Sequence, residues 1–265
     1  MNPGSLLFAA GICLPLCFAA ASPRAATFSA TYTLTLSVDP AKAQPQSSRD
    51  AALIKAAAAL GTVEVGTLAD TGVWDGTKLR LRSLGIGSTV VKTLVADERT
   101  DMARTSEAEL VNGVLVTTRY TDRRGSSPLL VYSADLRRGQ YELRRGGKVV
   151  ATDKLRQPTS DLAALPYQFV GRAPPKGEVA LAFTDGKSVR SVSFKSAADT
   201  VVVGGTSVPA TRLTSTPKTR DDPAIDLWLR NEDGFPLRVR VGLGSKYGAV
   251  ADQRIKALPP LVKGN

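Results

Sequence analysis

Hydrophobic and polar residues alternate with a period of two along much of this chain. The clearest run is TFSATYTLTLSV at 27–38, in which Phe28 and Tyr32 fall on one face and Ser and Thr residues on the other. The segment 77–84 repeats the pattern with arginines on the polar face, and 114–120 repeats it less regularly. Because successive side chains of a β-strand point to opposite sides, this period predicts strands with one buried face.

Short glycine-containing turns separate further alternating runs. Pairs of glycines, or Asp followed by Gly, favour the positive φ angles that two-residue hairpin turns require. Such pairs stand at Gly146-Gly147, Asp185-Gly186, Gly204-Gly205 and Asp233-Gly234. Four hairpins at short spacing predict a mainly β fold, a single large curled antiparallel sheet or half-barrel.

One segment has helical rather than alternating character. The residues at 47–60, SSRDAALIKAAAAL, predict one short helix, with Ser48 or Asp50 as its N-cap and Gly61 at its end. A polar, proline-containing stretch precedes it. We therefore interpret 40–60 as a helix-like insertion between the first two strands.

A second proline-containing stretch, 157–178, is the clearest connector in the chain. It separates a basic N-terminal half from the hairpins that follow. Neither half has an obviously complete core of its own. We therefore expect one β-rich domain over 27–265, with a single sheet continuing across the connector.

The first 26 residues predict a cleaved signal peptide. Residues 6–21 are apolar and uncharged, but they are fewer than the ~20 that cross a bilayer, and small residues up to Ala26 suit signal peptidase. Cys13 and Cys17 each follow a large apolar residue, which argues against lipidation. The expected location is periplasmic or secreted, with no transmembrane segment after leader cleavage.

The amino-acid composition excludes several kinds of catalytic residue. The chain has no histidine, and both of its cysteines lie in the predicted leader. Thiol nucleophiles, histidine bases, zinc sites and disulfides are thereby excluded from the mature protein, and we expect no cofactor and no metal. The remaining candidates for acid–base work are three carboxylate pairs, each more simply interpreted as a solvated turn or strand face. They are Asp97/Glu98, Glu107/Glu109 and Asp221/Asp222.

The net charge of +11 is concentrated in the middle of the chain. Ten basic and four acidic residues stand between Arg119 and Arg156. These arginines either flank turns and protect strand edges, or attract an anionic envelope component such as a lipid head group. A nucleic-acid partner is not expected for an exported protein without a basic, aromatic-interleaved motif. Arg119, Arg137 and Arg144 are the candidate ligand-binding residues of this stretch.

Trp228 is the fourth candidate ligand-binding residue. In the run IDLWLRNEDGFPLRV it alternates with Leu227 and Leu229, so it shares the polar face or the sheet is buried on both sides there. Two interpretations remain open. Trp228 either packs against the connector or lines an apolar pocket of the concave face.

Four segments in a fixed order carry a family resemblance. They are ATYTLTLSV, SEAELVNGVLVTTRYTDRRG, FTDGKSVRSVSF and IDLWLRNEDGFPLRVRV. Together they resemble the exported bacterial family known as domain of unknown function 3108. The chain departs from that family in the insertion at 40–60 and in Val116-Thr117, where proline is commoner. The resemblance implies a periplasmic β-sheet protein similar to the half-barrel carriers of lipoproteins, and it implies no catalytic residues.

Three functions compete on these observations. The first is a non-enzymatic protein that binds an apolar or amphipathic envelope ligand, with an acyl chain or lipoprotein segment on the concave face and its anionic head group at the central arginines. The second is an adaptor that pairs with an envelope protein through an edge strand. The third is a glycan-acting enzyme, which would need two carboxylates about 5–9.5 Å apart in one pocket.

Overall fold

The computed structural model of the protein describes residues 25–88, 101–184, 189–217, 219, 222–243 and 247–263. Four predicted features lie outside these residues: the signal peptide up to residue 24, the Asp185-Gly186 turn, the pair Asp97/Glu98, and Asp221. Across the described part of the chain, no helix is both long and apolar enough to cross a membrane.

Fifteen strands form one sheet in the part of the chain that the structure describes. Their bounds are Ala26–Val38 (β1), Val63–Trp74 (β2), Lys78–Gly87 (β3), Met102–Val111 (β4), Val114–Arg124 (β5), Leu130–Asp135 (β6), Gln140–Arg145 (β7), Lys148–Lys154 (β8), Thr159–Asp161 (β9), Glu178–Thr184 (β10), Val189–Val203 (β11), Thr206–Thr216 (β12), Ile225–Arg230 (β13), Pro236–Gly242 (β14) and Ala249–Ile255 (β15). The prediction of a mainly β fold with one large sheet is confirmed.

The sheet consists of two meanders joined in its middle. Its order is β8-β7-β6-β5-β4-β3-β2-β1-β15-β14-β13-β12-β11-β10-β9, so β1 pairs with β15 and the other neighbours are consecutive in sequence. We call β1–β8 the N-terminal arm and β9–β15 the C-terminal arm. The sheet is curled but open, because β8 and β9 are at its two edges, and β9 lies against β5 of the other arm.

One pairing differs from the prediction of an antiparallel sheet. β9 pairs with β10 in parallel, which makes the sheet mixed. The reason is the path of the chain. β9 reaches β10 through the long connector rather than through a hairpin turn, and alternation within strands carries no information on that path.

The predicted helix is present as α1, Ser48–Ala59. Its N-cap is Ser47 rather than Ser48 or Asp50: the Ser47 hydroxyl accepts a hydrogen bond of 3.0 Å from the Asp50 amide. Gly61 follows the helix with a φ of +68°, the left-handed conformation that ends many helices. The predicted insertion between the first two strands is thus confirmed.

The connector is the unexpected part of the core. Tyr167 and Val170 are buried in one apolar cluster with Phe28 and Tyr32 of β1. Other connector residues are buried in a second cluster, with side chains of β10 to β14; they are Leu165 and Phe169. The connector therefore fills the concave side of the sheet, and its side chains point alternately towards the two clusters.

Candidate functional site

Asp161 is the centre of a buried polar network in the connector. Its carboxylate accepts hydrogen bonds from the hydroxyls of Ser106 and Thr117, and from the amides of Ala163 and Ala164 at 2.7 and 3.0 Å. The side chain is fully buried. Burial raises the pKa of Asp161, although the four hydrogen bonds act in the opposite direction. These bonds hold the start of the connector against β4 and β5.

A second network joins the connector to the middle of the sheet. The Tyr167 hydroxyl donates to Oδ2 of Asp70 at 2.7 Å and lies 3.1 Å from the Tyr32 hydroxyl, which donates to the Pro236 carbonyl at 3.0 Å. Burial raises the pKa of Asp70 and of both tyrosines. Asp70 is 2 % exposed and Tyr32 is completely covered, so a substrate has no access to this carboxylate. The arrangement is suited to holding the connector in place.

Beside these networks the concave side contains an apolar cavity of about 310 Å³. Alternation in IDLWL places Ile225 and Leu227 of β13 on its wall, and Trp228 on the opposite face. The remaining apolar wall comes from the connector, β10 and β14, and includes Leu165, Pro166, Phe183, Val239 and Val241. Arg190 is the charged residue among those that line it. We call this space the apolar cavity.

A second depression, of about 430 Å³, adjoins the connector on the side of the N-terminal arm. We call it the basic pocket. Its lining residues come from β5, the β5–β6 loop, β6, β7 and the connector. They are Asp122, Arg124, Ser127, Pro128, Leu130, Arg145 and Leu162. Leu162 lines the apolar cavity as well, so the two spaces meet at one connector side chain.

The acidic residue of the basic pocket is already paired with two arginines. Asp122 forms ion pairs with Arg124 at 2.9 Å and with Arg104 at 3.4 Å. Burial alone would raise the pKa of Asp122, but the two guanidinium groups outweigh it and lower the pKa below its usual range. The pocket thus contains more positive than negative charge around neutral pH.

Trp228 lies in a cluster of charged residues on the opposite face of β13. The guanidinium carbons of Arg212 and Arg238 lie 4.9 and 4.5 Å from its ring centroid, and its indole nitrogen donates to Asp199 at 2.8 Å. Arg238 pairs with Asp252 at 2.6 Å. Trp228 is 4 % exposed, and it does not line the apolar cavity. Trp228 thus lies on the face that carries the charged residues, and the sheet is buried on both sides at this position.

The outer face also has a larger depression, of about 830 Å³, near Arg212. Charges of both signs line it. Arg212 pairs with Asp226 at 3.1 Å, and Lys42 pairs with Asp39 at 3.6 Å. Its charges therefore indicate no preference for one class of ligand.

The structure places the three arginines predicted from the sequence on the exposed surface of the N-terminal arm. Arg119 is in β5, Arg137 precedes β7, and Arg144 is in β7 and pairs with Glu142. Six strands of the sheet separate β5 from β13, which contains Trp228. Trp228 contacts Arg212 and Arg238 rather than any of these three arginines. That these four residues bind a ligand stays a prediction.

Two arginines of the same basic stretch, Arg124 and Arg145, line the basic pocket instead. A signal for them exists in the sequence. Arg145 is two residues after the buried Leu143, and Arg124 is four after the buried Tyr120. Period-two alternation therefore places both arginines on the same strand faces as these buried residues, although both side chains are exposed at the strand ends, and a count of positive charges does not show which face an arginine shares.

Among the described members of the predicted carboxylate pairs, Asp222 lines the depression near Arg212, whereas Glu107 and Glu109 line none of the depressions described above. Glu107 is exposed on β4, and Glu109 pairs with Lys78 at 3.0 Å. Within the described ranges, no group of three or more acidic, histidine or cysteine side chains is arranged to hold a metal ion.

Comparisons with known proteins give a likeness among solved structures. No family model matches the chain. No curated protein sequence matches it. Among solved structures, it is similar to the crystal structure of a beta-barrel-like protein of domain of unknown function DUF1849 from Brucella abortus. The two are 11 % identical over 87 % of this chain and 96 % of that one, with a TM-score of 0.48. Membership of the family of domain of unknown function 3108 stays a prediction.

Proposed function

We propose that this protein is an exported, periplasmic or secreted, non-enzymatic protein that binds an apolar or amphipathic envelope ligand on the concave side of its sheet. The observation that carries the proposal is the apolar cavity of about 310 Å³ between the connector and the C-terminal arm. Export is supported by the apolar leader alone. The non-enzymatic part is supported by the lack of histidine and by the closed positions of Asp70 and Asp161.

The size and lining of the cavity favour a ligand site over a packing defect. Ligand pockets typically measure about 300–1,000 Å³ and have mainly apolar walls. Leu227 and Val239 on its wall are buried, whereas Val241 is half-buried and leads towards the exposed Leu243. An alkyl chain would thus find an apolar floor and a route to solvent.

The energetics also favour an alkyl chain. Removing apolar surface from water contributes roughly 25 cal/mol per Å², and a cavity whose walls are aliphatic offers few hydrogen-bond partners to a polar ligand. The Leu165, Ile225 and Leu227 side chains supply this aliphatic surface. We therefore assign an acyl or alkyl chain, rather than a sugar or nucleotide, to the cavity.

Filling the cavity tests the proposal. Val241→Trp should place an indole in the space and weaken binding of the neutral fluorescent probe N-phenylnaphthylamine about tenfold or more. Val202→Trp is the matched control, because Val202 is 70 % exposed on β11 and does not line the cavity. Probe titration and native mass spectrometry with lipid extraction, on protein purified from its own periplasm, are the measurements.

A wild-type protein that binds no probe and yields no extractable lipid would contradict the proposal. Equal loss of binding in Val202→Trp would contradict the assignment of the site to the cavity. Thermal unfolding of both variants checks that neither substitution has simply disrupted the sheet.

A second candidate, the edge-strand adaptor, is favoured by one observation. β8 is an edge strand, and its Val149 and Val150 are 50 and 55 % exposed. Edge strands with exposed apolar side chains offer unpaired backbone groups to a partner strand. A photo-crosslinker at Val150 that gives a discrete adduct in cells, with protection of β8 amides from hydrogen exchange, would support this function. A crosslinker at Val202 is the control.

A further inference from the structure

We infer that the ligand is an anionic amphiphile, whose alkyl chain occupies the apolar cavity and whose carboxylate or phosphate lies in the basic pocket against Arg145 and Arg124. The inference rests on the proposed function, because it assigns the head group of a ligand whose chain fills that cavity. It differs from the sequence prediction in choosing the arginines that line the basic pocket over Arg119, Arg137 and Arg144.

The first argument is the adjacency of the two spaces. Leu162 lines both the apolar cavity and the basic pocket. On one side of this residue the walls are the apolar side chains of β13 and β14, and on the other they are Arg124, Arg145 and Asp122. A molecule that passes over Leu162 therefore meets an apolar environment at one end and a cationic one at the other. This arrangement suits a molecule with one alkyl chain and one anionic head group.

The second argument is the balance of charge in the basic pocket. Asp122 is its acidic lining residue and already pairs with Arg104 and Arg124. Arg145 has no ion pair or side-chain hydrogen bond with any residue in the described ranges. A positive charge without a protein counter-ion favours an anion. The planar guanidinium group can bind both oxygens of a carboxylate or phosphate at once.

The third argument is the apolar surroundings of this charge. Leu130 is buried and stands opposite Arg145 across the β6–β7 pair, and Pro128 and Leu162 complete the apolar part of the wall. The Arg145 side chain is itself exposed, so these apolar groups flank its charge on one side and shield an ion pair formed there only in part from water. Arg144, the preceding residue of β7, is also exposed but does not line the basic pocket.

Arg190, on the wall of the apolar cavity, was the other candidate for the head group. It takes part in interactions with other residues of the protein. Arg190 thus has a partner, whereas Arg145 has no ion pair or side-chain hydrogen bond in the described ranges. The geometry points to Arg145 as the residue that distinguishes an anionic from a neutral head group.

The test compares two ligands with the same chain on matched variants. Calorimetric titration of decanoate and decanol gives a ratio of affinities for the wild type, for Arg145→Gln and for Arg144→Gln. Arg145→Gln should weaken decanoate binding about tenfold and leave decanol binding unchanged, which is the loss of one charge-assisted contact. Arg144→Gln removes the same charge from the same strand outside the pocket and should change neither affinity. Circular dichroism confirms that both variants are folded.

The outcomes separate the inference from the proposed function. If decanol binds the wild type but Arg145→Gln leaves the decanoate-to-decanol ratio unchanged, the head-group inference is overturned and the apolar site stands. If neither ligand binds and N-phenylnaphthylamine does not bind either, both fail. Decyl phosphate and inorganic phosphate form a further pair: tighter binding of decyl phosphate supports an amphiphile, whereas equal binding overturns it in favour of a free-anion site.

Discussion

Between Asp161 and Val170, the side chains of the connector contact the two arms of the sheet by different chemistry. Towards the N-terminal arm, the side chains of Asp161, Tyr167 and Gln168 form hydrogen bonds with residues of β1, β2, β4 and β5. Towards the C-terminal arm, Leu165 lies in an apolar cluster and borders the apolar cavity. Hydrogen bonds are directional and fix the connector on one side. Apolar contacts are not directional, so a chain-shaped ligand can be accommodated on the other side without breaking a polar contact.

Removing Asp161 should have the largest effect on this polar side. Asp161→Ala leaves two buried hydroxyls and two buried amides without their acceptor, and each such loss costs about 1–3 kcal/mol. We expect the free energy of unfolding to fall by about 3 kcal/mol or more, as measured by urea denaturation. Asp153→Ala is the control, because Asp153 is exposed on β8, and it should change stability by less than about 0.5 kcal/mol. A loss of similar size in both variants would contradict the distinction between the two sides.

A smaller effect is expected from Tyr167→Phe. The substitution keeps the ring in its cluster but removes the donor to the buried Asp70 carboxylate, at a cost of about 1–3 kcal/mol. The matched control is Tyr141→Phe. Tyr141 is half-buried and stacks on Tyr132, but its hydroxyl forms no hydrogen bond with other described residues. Chemical denaturation of both variants measures the difference, and equal stabilities would show that the Asp70 contact contributes nothing.

The smallest expected effects concern how the stability of the protein depends on pH. The contribution of the buried Asp70 and that of the ion-paired Asp252 change with pH in opposite directions. Burial raises the pKa of Asp70 above its ordinary value of 3.8, so its contribution to stability is fully present below that value and is lost as the pH rises through the folded pKa. For Asp252, burial acts the same way but hydrogen bonds from Arg238 and Arg254 outweigh it and lower the pKa. Its contribution is present above the ordinary value and is lost as the pH falls through the folded pKa.

Replacing each carboxylate by the isosteric amide therefore tests its contribution to the pH dependence of stability separately. In unfolding measured across pH, Asp70→Asn should remove part of the loss of stability as the pH rises above 3.8, and Asp252→Asn part of the loss as the pH falls below 3.8. The same sign in both variants would show that burial and ion pairing do not distinguish the two environments.

Many of the strands and turns were predictable from the sequence because those strands have one covered and one more exposed face. The run at 27–38 became β1, Ala26–Val38, and Gly146-Gly147 joins β7 to β8. The alternation of hydrophobic and polar residues shows which face of a strand is buried. It gives no information on the distances between strands, so neither the apolar cavity nor the basic pocket could be predicted from it.

The role of the connector was not predicted, for a physical reason. A segment that is buried on all sides has no polar face and hence no period. A different signal was present: between Thr159 and Val170 the chain has one charged residue, Asp161, although charged residues make up 22 % of the sequence. A solvent-exposed linker would not be expected to carry so few charges together with Tyr167 and Phe169.

The pairing of β1 with β15 has a consequence for how the molecule folds. The two strands form the centre of the sheet, with Tyr32 opposite Ile255, yet they are separated by all the other strands in sequence. Each arm can form from local hairpins, but joining the arms closes a loop almost as long as the domain. We expect this closure to be the slow step of folding. Until it occurs, β1 has an unpaired edge rich in apolar side chains, which is the kind of surface that chaperones cover and aggregates share.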